Sequence, residues 1–304
     1  MRANPLRQPV FILGCNRSGT TLLFQNLSQH PHAWSLYIEG QDHFYRHYPQ
    51  DDTLGDRLVN PPAPTVRDAL AAGLYRAAHN KERFKDTPLL AAIPRKAFQR
   101  AWSWLYKPRT LRLVEKTPAN TLRIPFLAAA FPDARFVFLA RRGEDVVSSL
   151  MEGWKLWSRP TIGDGPWRYT RWHYLAPPGW QAWRDRPLEE ICAFQYVESN
   201  RLALDDLAAL PPERYRIVRH EELLAAPAEG YAALLGFLEL PPSPYLSQLV
   251  LSSGERVFTT GGSAPKPDKW KTLHPREIER IQPLLAPIHA RLDGALPAAA
   301  NRVI

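Results

Sequence analysis

A glycine loop near the start of the chain has the residue pattern of a phosphate-binding site. Residues 14–21 read GCNRSGTT; they follow the apolar run Val10–Leu13, which predicts a buried strand, and lead into Thr20–Leu27, which has helical apolar spacing. The backbone N–H groups of such a loop and the N-terminus of the following helix can bind an anion. A nucleotide-hydrolysing loop of this spacing has a lysine where this chain has Thr20, and the cation here is Arg17, inside the loop. The pattern therefore predicts a phosphate site in which protein cations, with no metal required, neutralise the anion.

A second cationic cluster follows another predicted strand. Arg135–Ala140 is the clearest buried strand of the sequence; Arg141 comes directly after it, and Ser149 lies about two turns into the next predicted helix, 143–151. No aspartate ends this strand, although a nucleotide hydrolase needs one there to help hold Mg²⁺. Ligands of open α/β sheets bind outside the carboxyl ends of the strands, so this cluster and the glycine loop can line one crevice. Together they predict a ligand that carries phosphate at two separated points.

The amino-acid composition limits the classes of protein to which this chain can belong. The chain has 304 residues, 45% of them hydrophobic and 23% charged, which is typical of a globular protein with a large core. The formal net charge of +9 favours a polyanionic partner, but the basic residues are scattered, so a phosphorylated small molecule fits as well as a nucleic acid. The 30 prolines, about twice the usual share, predict long stiffened loops.

Predicted strands and helices alternate along the chain. Further strands are predicted at 111–115 and 214–219, and further helices at 65–79 (opened by a capping box, TVRD), 120–131, 187–210, 220–226, 228–238 and 275–292, with a short helix around Trp102 and Trp104. Residues 40–64 and 241–270 are predicted to be irregular. This alternation indicates the α/β class: a P-loop-like parallel sheet flanked by helices on both faces, with long inserted loops. Residues 1–304 show no repeat or linker and are predicted to form a single domain.

One predicted insertion, residues 152–186, is rich in tryptophan. It holds six of the ten tryptophans, at positions 154, 157, 167, 172, 180 and 183. A loop of this length is usually functional or disordered, and its aromatic content argues against disorder. Two interpretations stay open: the rings pin the loop to the body of the protein, or they line a lid over an acceptor substrate. With Arg168 and Arg171 the same rings could also stack nucleic-acid bases, although the rings of a sugar or an aromatic acceptor would use the same residues.

The order of the motifs resembles that of the sulfotransferases that use 3′-phosphoadenosine 5′-phosphosulfate (PAPS). The resemblance rests on RSGTT after the first strand, on R-x-x-x-D-x-x-x-S from Arg141 to Ser149, and on the later blocks YRIVRHEELLAAP and DKWKTLHPREIERI; it is strongest to the bacterial and tyrosylprotein-sulfotransferase-like branch. It implies that the 5′-phosphosulfate is bound by Arg17, Ser18, Gly19, Thr20 and Thr21, and the 3′-phosphate by Arg141 and Ser149. Lys269 and Trp270 match a lysine–tryptophan pair near the cofactor. A P-loop-type nucleotide kinase or hydrolase, and a non-catalytic module that binds the product PAP, are the alternatives.

The resemblance also suggests which groups perform the transfer. Lys116 matches the lysine of a lysine-threonine-histidine motif, but Pro118 stands where the cytosolic enzymes have their basic histidine. Lys116 is then expected to stabilise the bridging oxygen or the departing phosphate. In the tyrosylprotein-like branch a glutamate serves as base, and Glu39 falls at that place. His43 is the alternative base, and Glu115 is interpreted as an ion-pair partner of Lys116.

The remaining predictions concern partners and location. The acceptor is expected to be a hydroxyl on a carbohydrate, lipid head group or secondary metabolite, and no nucleic acid is expected. His43 and His47 lie one helical turn apart, but no third ligand accompanies them, so no metal site is predicted. Two cysteines without a CxxC pattern, and apolar runs too short for a membrane span or signal segment, predict a cytoplasmic protein with at most peripheral membrane contact.

Overall fold

A five-stranded parallel sheet forms the centre of the computed structural model, which describes residues 4–37, 39–49, 53–82, 105–156, 172–252 and 267–295. Its strands are β1 (Val10–Leu13), β2 (Ala33–Ser35), β3 (Arg112–Glu115), β4 (Arg135–Ala140) and β5 (Tyr215–Arg219). Their order is β2-β3-β1-β4-β5, and every neighbouring pair is parallel. All five carboxyl ends therefore lie at one edge of the sheet, which we call the carboxyl edge.

Both faces of the sheet are apolar and covered. Successive side chains of a strand point to opposite faces. Phe11 and Leu13 accordingly join one hydrophobic cluster, while Val10 and Ile12 join a second. The central strand β1 is fully buried. The predicted α/β class with helices on both faces is confirmed.

Eleven α-helices are described. They are α1 (Thr20–Leu27), α2 (Gln41–Tyr45), α3 (Pro64–Ala77), α4 (Ile124–Ala130), α5 (Gly143–Leu156), α6 (Leu188–Ala208), α7 (His220–Ala225), α8 (Pro227–Phe237), α9 (Pro244–Ser252), α10 (Trp270–Leu273) and α11 (Pro275–Ala295). Helices α5, α6 and α11 contribute to the first hydrophobic cluster, and α1, α8 and α9 to the second. Single 3₁₀ segments occur at Pro118–Leu122, Trp180–Trp183 and Pro212–Arg214.

Proline accounts for two differences from the predicted helices. The expected capping box does not form, because α3 begins one residue earlier, at Pro64, after Ala63, with no side-chain cap. Proline suits the first helical position, where its missing N–H removes no hydrogen bond. The helix expected at 120–131 is divided into a 3₁₀ segment and α4, since Pro125 has no N–H to continue the ladder across the junction at Arg123.

Short elements account for the other differences. The strand β2 and the helix α2 were not predicted, since three to five residues are too few to show a period; α2 lies within a stretch predicted to be irregular. The helix α9 likewise lies within the stretch 241–270 that was predicted to be irregular. The short helix predicted around Trp102 and Trp104 falls outside the described residues.

The described tryptophans of the 152–186 segment belong to the core. Trp154 lies at the end of α5, and its ring contacts that of Trp172 edge-on, with centroids 5.5 Å apart. Trp172 in turn contacts Trp180, and both are almost fully buried, while Trp183 stacks on Phe194 of α6. These four rings pin the segment to the body of the protein, as the first interpretation requires. Residues 157–171, with Trp157, Trp167, Arg168 and Arg171, lie outside the described part, so the lid interpretation stays a prediction for them.

Candidate functional site

The glycine loop joins β1 to α1 at the carboxyl edge. Gly19 adopts a left-handed φ of 93° and precedes α1 with no side-chain cap, so the first N–H groups of the helix have no capping side chain. Arg17 also has a positive φ, 70°, which is uncommon for a residue with a side chain. The Thr121 hydroxyl braces the start of the loop, since it accepts from Gly14 N at 2.8 Å and donates to Gly14 O at 3.0 Å. Cys15 is fully buried beneath the loop, and burial raises the pKa of its thiol to about 12.

The second cluster contacts this loop directly. Arg141, which follows β4, donates from a terminal guanidinium nitrogen to the carbonyl oxygen of Arg17 at 2.9 Å. The Nε of Arg17 in turn donates to Ser149 Oγ of α5, also at 2.9 Å. Tyr196 of α6 donates its hydroxyl to the Arg141 carbonyl at 2.8 Å. The residues expected at the two phosphates thus lie together at the carboxyl edge of the sheet, as the strand arrangement predicts.

The electrostatics around Arg17 and Arg141 suit an anion. Burial desolvates the positive charge of Arg141 and, with Arg17 and Arg142 nearby, lowers the pKa of its guanidinium. Two buried polar atoms, Ser18 Oγ and Arg141 Nε, have no hydrogen-bond partner among the described residues. A buried donor without a partner is costly, and a phosphate or sulfate oxygen would satisfy both atoms. The residues present therefore fit a phosphorylated ligand.

Glu39 and Lys116 meet at the ends of β2 and β3. The Lys116 ammonium forms a salt bridge with the Glu39 carboxylate. The side chain of Lys116 is 8% exposed and that of Glu39 42% exposed, so the lysine is buried while the carboxylate is open to a substrate. His43, the alternative base, lies on α2 and packs against Gly73 of α3, where burial lowers its pKa.

The predicted ion pair between Glu115 and Lys116 does not form, so that prediction is wrong. The buried Glu115 carboxylate instead accepts hydrogen bonds from Gly40 N at 3.0 Å and from the side chains of Thr117 and Asn120, each at 2.5 Å. Burial raises the pKa of this carboxyl group. Since Gly40 follows Glu39, these bonds fix the backbone that carries the open carboxylate.

The segment with Lys269 and Trp270 is fastened along α5. The Asp268 N–H donates to Asp145 Oδ1 at 3.1 Å, and Lys269 follows as an exposed residue next to the half-buried Trp270. His274 closes the segment with both of its ring nitrogens on α5: Nδ1 lies 2.8 Å from Ser148 Oγ and Nε2 lies 3.0 Å from Glu152 Oε1. The segment is thereby held alongside the helix that carries Ser149.

Sequence reasoning missed His220, which begins α7 directly after β5. Its ring lies against Gly19: a Cβ built on that glycine would be 2.4 Å from His220 Cδ2. It lies within the block YRIVRHEELLAAP, and its place directly after a predicted strand is the signal that could have indicated it. Each of the five strands is thus followed at the carboxyl edge by an ionisable side chain: Arg17, Glu39, Lys116, Arg141 and His220.

A family model for the sulfotransferase family matches residues 9–244, which is most of the chain. The chain belongs to the sulfotransferase family. This match contains the glycine loop, Glu39, Lys116, Arg141 and Ser149, and it ends before Lys269 and Trp270. Membership favours sulfuryl transfer over the phosphoryl-transfer alternative that the glycine loop alone left open.

Solved sulfotransferase structures share the fold. The sulfotransferase domain from the curacin biosynthetic pathway is 21% identical, with a TM-score of 0.51 over 96% of this chain and 100% of that one. Sulfotransferase STF1 from Mycobacterium tuberculosis is 16% identical, with a TM-score of 0.50 over 93% of this chain and 78% of that one. No curated protein sequence matches the chain significantly.

Neither a cluster of metal-ligating side chains nor a helix suited to crossing a membrane occurs among the described residues. Among them, no three or more histidine, cysteine, aspartate or glutamate side chains are grouped so that they could hold a metal ion. No helix in the same residues is both long and apolar enough to cross a membrane.

Proposed function

We propose that this sulfotransferase takes its sulfuryl group from PAPS and transfers it to a hydroxyl of a carbohydrate, lipid head group or secondary metabolite. The observation that carries the choice of donor is the hydrogen-bonded series from Arg141 through Arg17 to Ser149. It joins the glycine loop to a second cationic group, as a nucleotide with separate 5′ and 3′ charges requires. The proposal assigns residues 17–21 to the 5′-phosphosulfate, and Arg141 and Ser149 to the 3′-phosphate. Lys269 and Trp270 are proposed to lie near the nucleotide.

The same groups account for the transfer step. The acceptor hydroxyl gives its proton to the Glu39 carboxylate while its oxygen forms the new bond to sulfur. The bond from sulfur to the 5′-phosphate oxygen breaks, and its electron pair leaves with the phosphate. Arg17, Lys116 and the N-terminus of α1 then stabilise the charge that develops on this leaving group.

The salt bridge between Glu39 and Lys116 couples the two halves of this step. Before transfer, the ammonium of Lys116 balances the negative charge of the Glu39 carboxylate. Once Glu39 is protonated, its negative charge is lost and Lys116 is left as an uncompensated buried cation. That cation is then available to the oxygen that gains charge, so proton uptake strengthens the stabilisation of the leaving group.

Thermal unfolding with PAP, and separately with ATP, each with and without Mg²⁺, tests the donor. A ligand at 100 times its Kd adds about 2.7 kcal/mol, which for a chain of this size raises Tm by roughly 5 °C. We expect a shift with PAP that does not depend on Mg²⁺ and little shift with ATP. The variant Arg17→Ala should lose the shift, and Arg276→Ala, an exposed arginine of α11, should keep it. A Mg²⁺-dependent shift with ATP alone would contradict the proposal.

Turnover separates an enzyme from a module that only binds PAP. The protein is incubated with PAPS and a panel of sugar, lipid and phenolic hydroxyl acceptors, and release of PAP is measured. Acceptor-dependent release identifies the acceptor class. Binding of PAP with no release for any acceptor would favour the non-catalytic alternative.

A further inference from the structure

The short helix α2 follows Glu39 after one residue, so its position helps to determine where the Glu39 carboxylate lies. Helix α2 has five residues, Gln41–Tyr45, too few to be stable without tertiary contacts. Its start is fixed because the N–H of Gly40 donates to Glu115 Oε1 at 3.0 Å and to Thr117 Oγ1 at 2.9 Å. A single fixed point would leave the other end of the helix free to pivot, so a second anchor is needed there.

The side chain of Tyr45 supplies this second anchor. Its hydroxyl donates to Asp56 Oδ1 at 2.8 Å and accepts a hydrogen bond from the side-chain amide of Gln41, at the start of the same helix. Burial and the Asp56 carboxylate raise the pKa of the Tyr45 hydroxyl, so it stays protonated and able to donate. The hydrogen-bonded series from Gln41 through Tyr45 to Asp56 thus begins two residues after Glu39.

Asp56 is itself fixed by a buried arginine. The side chains of Asp56 and Arg123 are each 1% exposed, and Arg123 Nη2 lies 3.6 Å from Asp56 Oδ1. Arg123 Nε donates to the Asp56 carbonyl oxygen at 3.2 Å, and the guanidinium lies over the rings of Phe44 and Tyr45. A buried ion pair adds little net stability, because desolvation of the charges opposes their attraction. The contacts of this pair instead hold Asp56 in one arrangement against α2.

The same carboxylate is bonded to a segment that leads to the glycine loop. Asp56 Oδ2 accepts from Ala176 N at 3.0 Å, and Asp56 N donates to Ala176 O at 2.9 Å. The preceding residue, Leu175, donates its N–H to Asn16 Oδ1 of the glycine loop at 3.2 Å. Asp56 therefore connects α2 with the glycine loop through two consecutive residues.

We propose that Tyr45 and Asp56 are positioning residues that fix the Glu39 carboxylate relative to the sulfuryl donor. The inference rests on the proposed function, in which Glu39 is the base. Neither residue needs to contact a substrate, because both act through α2 on one side and through Ala176 and Leu175 on the other. Transfer requires the base and the donor to be aligned, and a misplacement of about 1 Å can lower a rate by about 100-fold.

The variant Tyr45→Phe tests this inference, because it removes one hydroxyl and keeps the ion pair of Asp56. We expect kcat for PAP release to fall about ten- to 100-fold, while the KM for PAPS and the Kd for PAP stay at their wild-type values. Loss of one hydrogen bond should lower Tm by about 2–4 °C. Tyr48→Phe is the matched control, since the Tyr48 ring packs edge-on against Phe126 and makes no described contact with Asp56. It should keep the wild-type kcat.

A second comparison separates positioning of the base from general damage to the site. In Glu39→Gln the base is absent, so adding Tyr45→Phe should lower kcat no further. An equal fall in both backgrounds would overturn the proposal, and so would a wild-type kcat in Tyr45→Phe alone. If Tyr45→Phe does not fold, Gln41→Met, which removes the other hydrogen bond of the Tyr45 hydroxyl, should show a smaller fall of kcat in the same pattern; a wild-type kcat there would also overturn it.

Amide hydrogen exchange tests the anchoring without any substrate. In the ligand-free protein, the amides of residues 41–45 should exchange about ten times faster in Tyr45→Phe than in wild type or Tyr48→Phe, because one anchoring hydrogen bond is lost. Equal exchange rates in the three proteins would overturn the positioning role by itself. Faster exchange in Tyr45→Phe, with no release of PAP from PAPS by the wild-type chain for any acceptor, would support the anchoring of α2 and show that the proposed function is wrong.

Discussion

Replacement of Glu39 by glutamine tests the chemistry of the site most directly. The substitution keeps the size of the side chain and an oxygen that can accept from Lys116, but it removes the group that takes the acceptor proton. Loss of a general base lowers the rate by about 10²- to 10⁴-fold, or about 3–5 kcal/mol of activation free energy. Glu39 makes no described contact with Arg17, Arg141 or Ser149, so PAP affinity should stay near that of the wild-type chain.

The exposure of the salt bridge determines how much Glu39→Gln destabilises the folded protein. The pair loses its charge–charge attraction, but Glu39 is 42% exposed and partly screened by water. We expect a loss of about 1 kcal/mol, which lowers Tm by roughly 2–3 °C. The fall in rate should therefore be seen in a protein that is folded and binds its nucleotide.

The assay is the steady-state rate of PAP release at saturating PAPS, together with the Kd for PAP and the Tm. His43→Gln removes the alternative base, and Asp42→Asn removes a neighbouring exposed carboxylate on α2. Both controls should keep kcat within about threefold of wild type, well inside the span expected for a base. A Glu39→Gln enzyme with wild-type kcat would refute the reasoning, and a large loss in His43→Gln instead would move the role to that histidine.

Three further predictions concern binding and stability. Arg141→Lys keeps a positive charge but loses the guanidinium that donates to the Arg17 carbonyl, so calorimetry should show PAP affinity at least tenfold weaker; an unchanged Kd would contradict this role. Burial lowers the pKa of His79 from 6.5 to about 4, so the unfolded chain binds a proton across that window that the native chain does not. Wild type should therefore lose about 2 kcal/mol from this group as pH falls from 6.5 to 5, and the fall of Tm with acid should be shallower in His79→Gln. His274→Ala removes both ring hydrogen bonds to α5 and should cost about 1–3 kcal/mol of unfolding free energy by denaturant titration; no change would show that the contact is dispensable.

The sequence predicts those elements whose residues are themselves periodic or continuously buried. The strand Arg135–Ala140 was found because all but one of its residues are buried, which a parallel strand covered on both faces requires. The strand Ala33–Ser35 was not predicted, because three residues are too few to show a pattern. Its strand conformation depends on pairing with β3 at the edge of the sheet. The break in the helix at Pro125 could have been predicted, because proline lacks the N–H that a continuous helix needs. At Pro64 the helix begins with the proline, and the capping box predicted at Thr65 does not form.

The residues of the candidate site also differ in how far the sequence could predict them. The glycine loop and the Arg141–Ser149 motif are local in sequence, so their residue types and their place after strands could be predicted. The pairing of Glu39 with Lys116 joins two strand ends that are far apart in the chain, and only the order of the strands brings them together. His220 lies within the block YRIVRHEELLAAP, but its contact with Gly19 depends on the fold and could not be predicted from that block.

The buried position of Cys15 has a consequence for how the loop responds to its surroundings. The thiolate is the form that oxidants and alkylating agents attack, and burial that raises the thiol pKa to about 12 nearly eliminates it near pH 7. A cysteine in the middle of an anion-binding loop would otherwise make that loop redox-sensitive. Here the fully buried sulfur packs as a small core atom beneath the backbone, so we expect this thiol to react only slowly with oxidants.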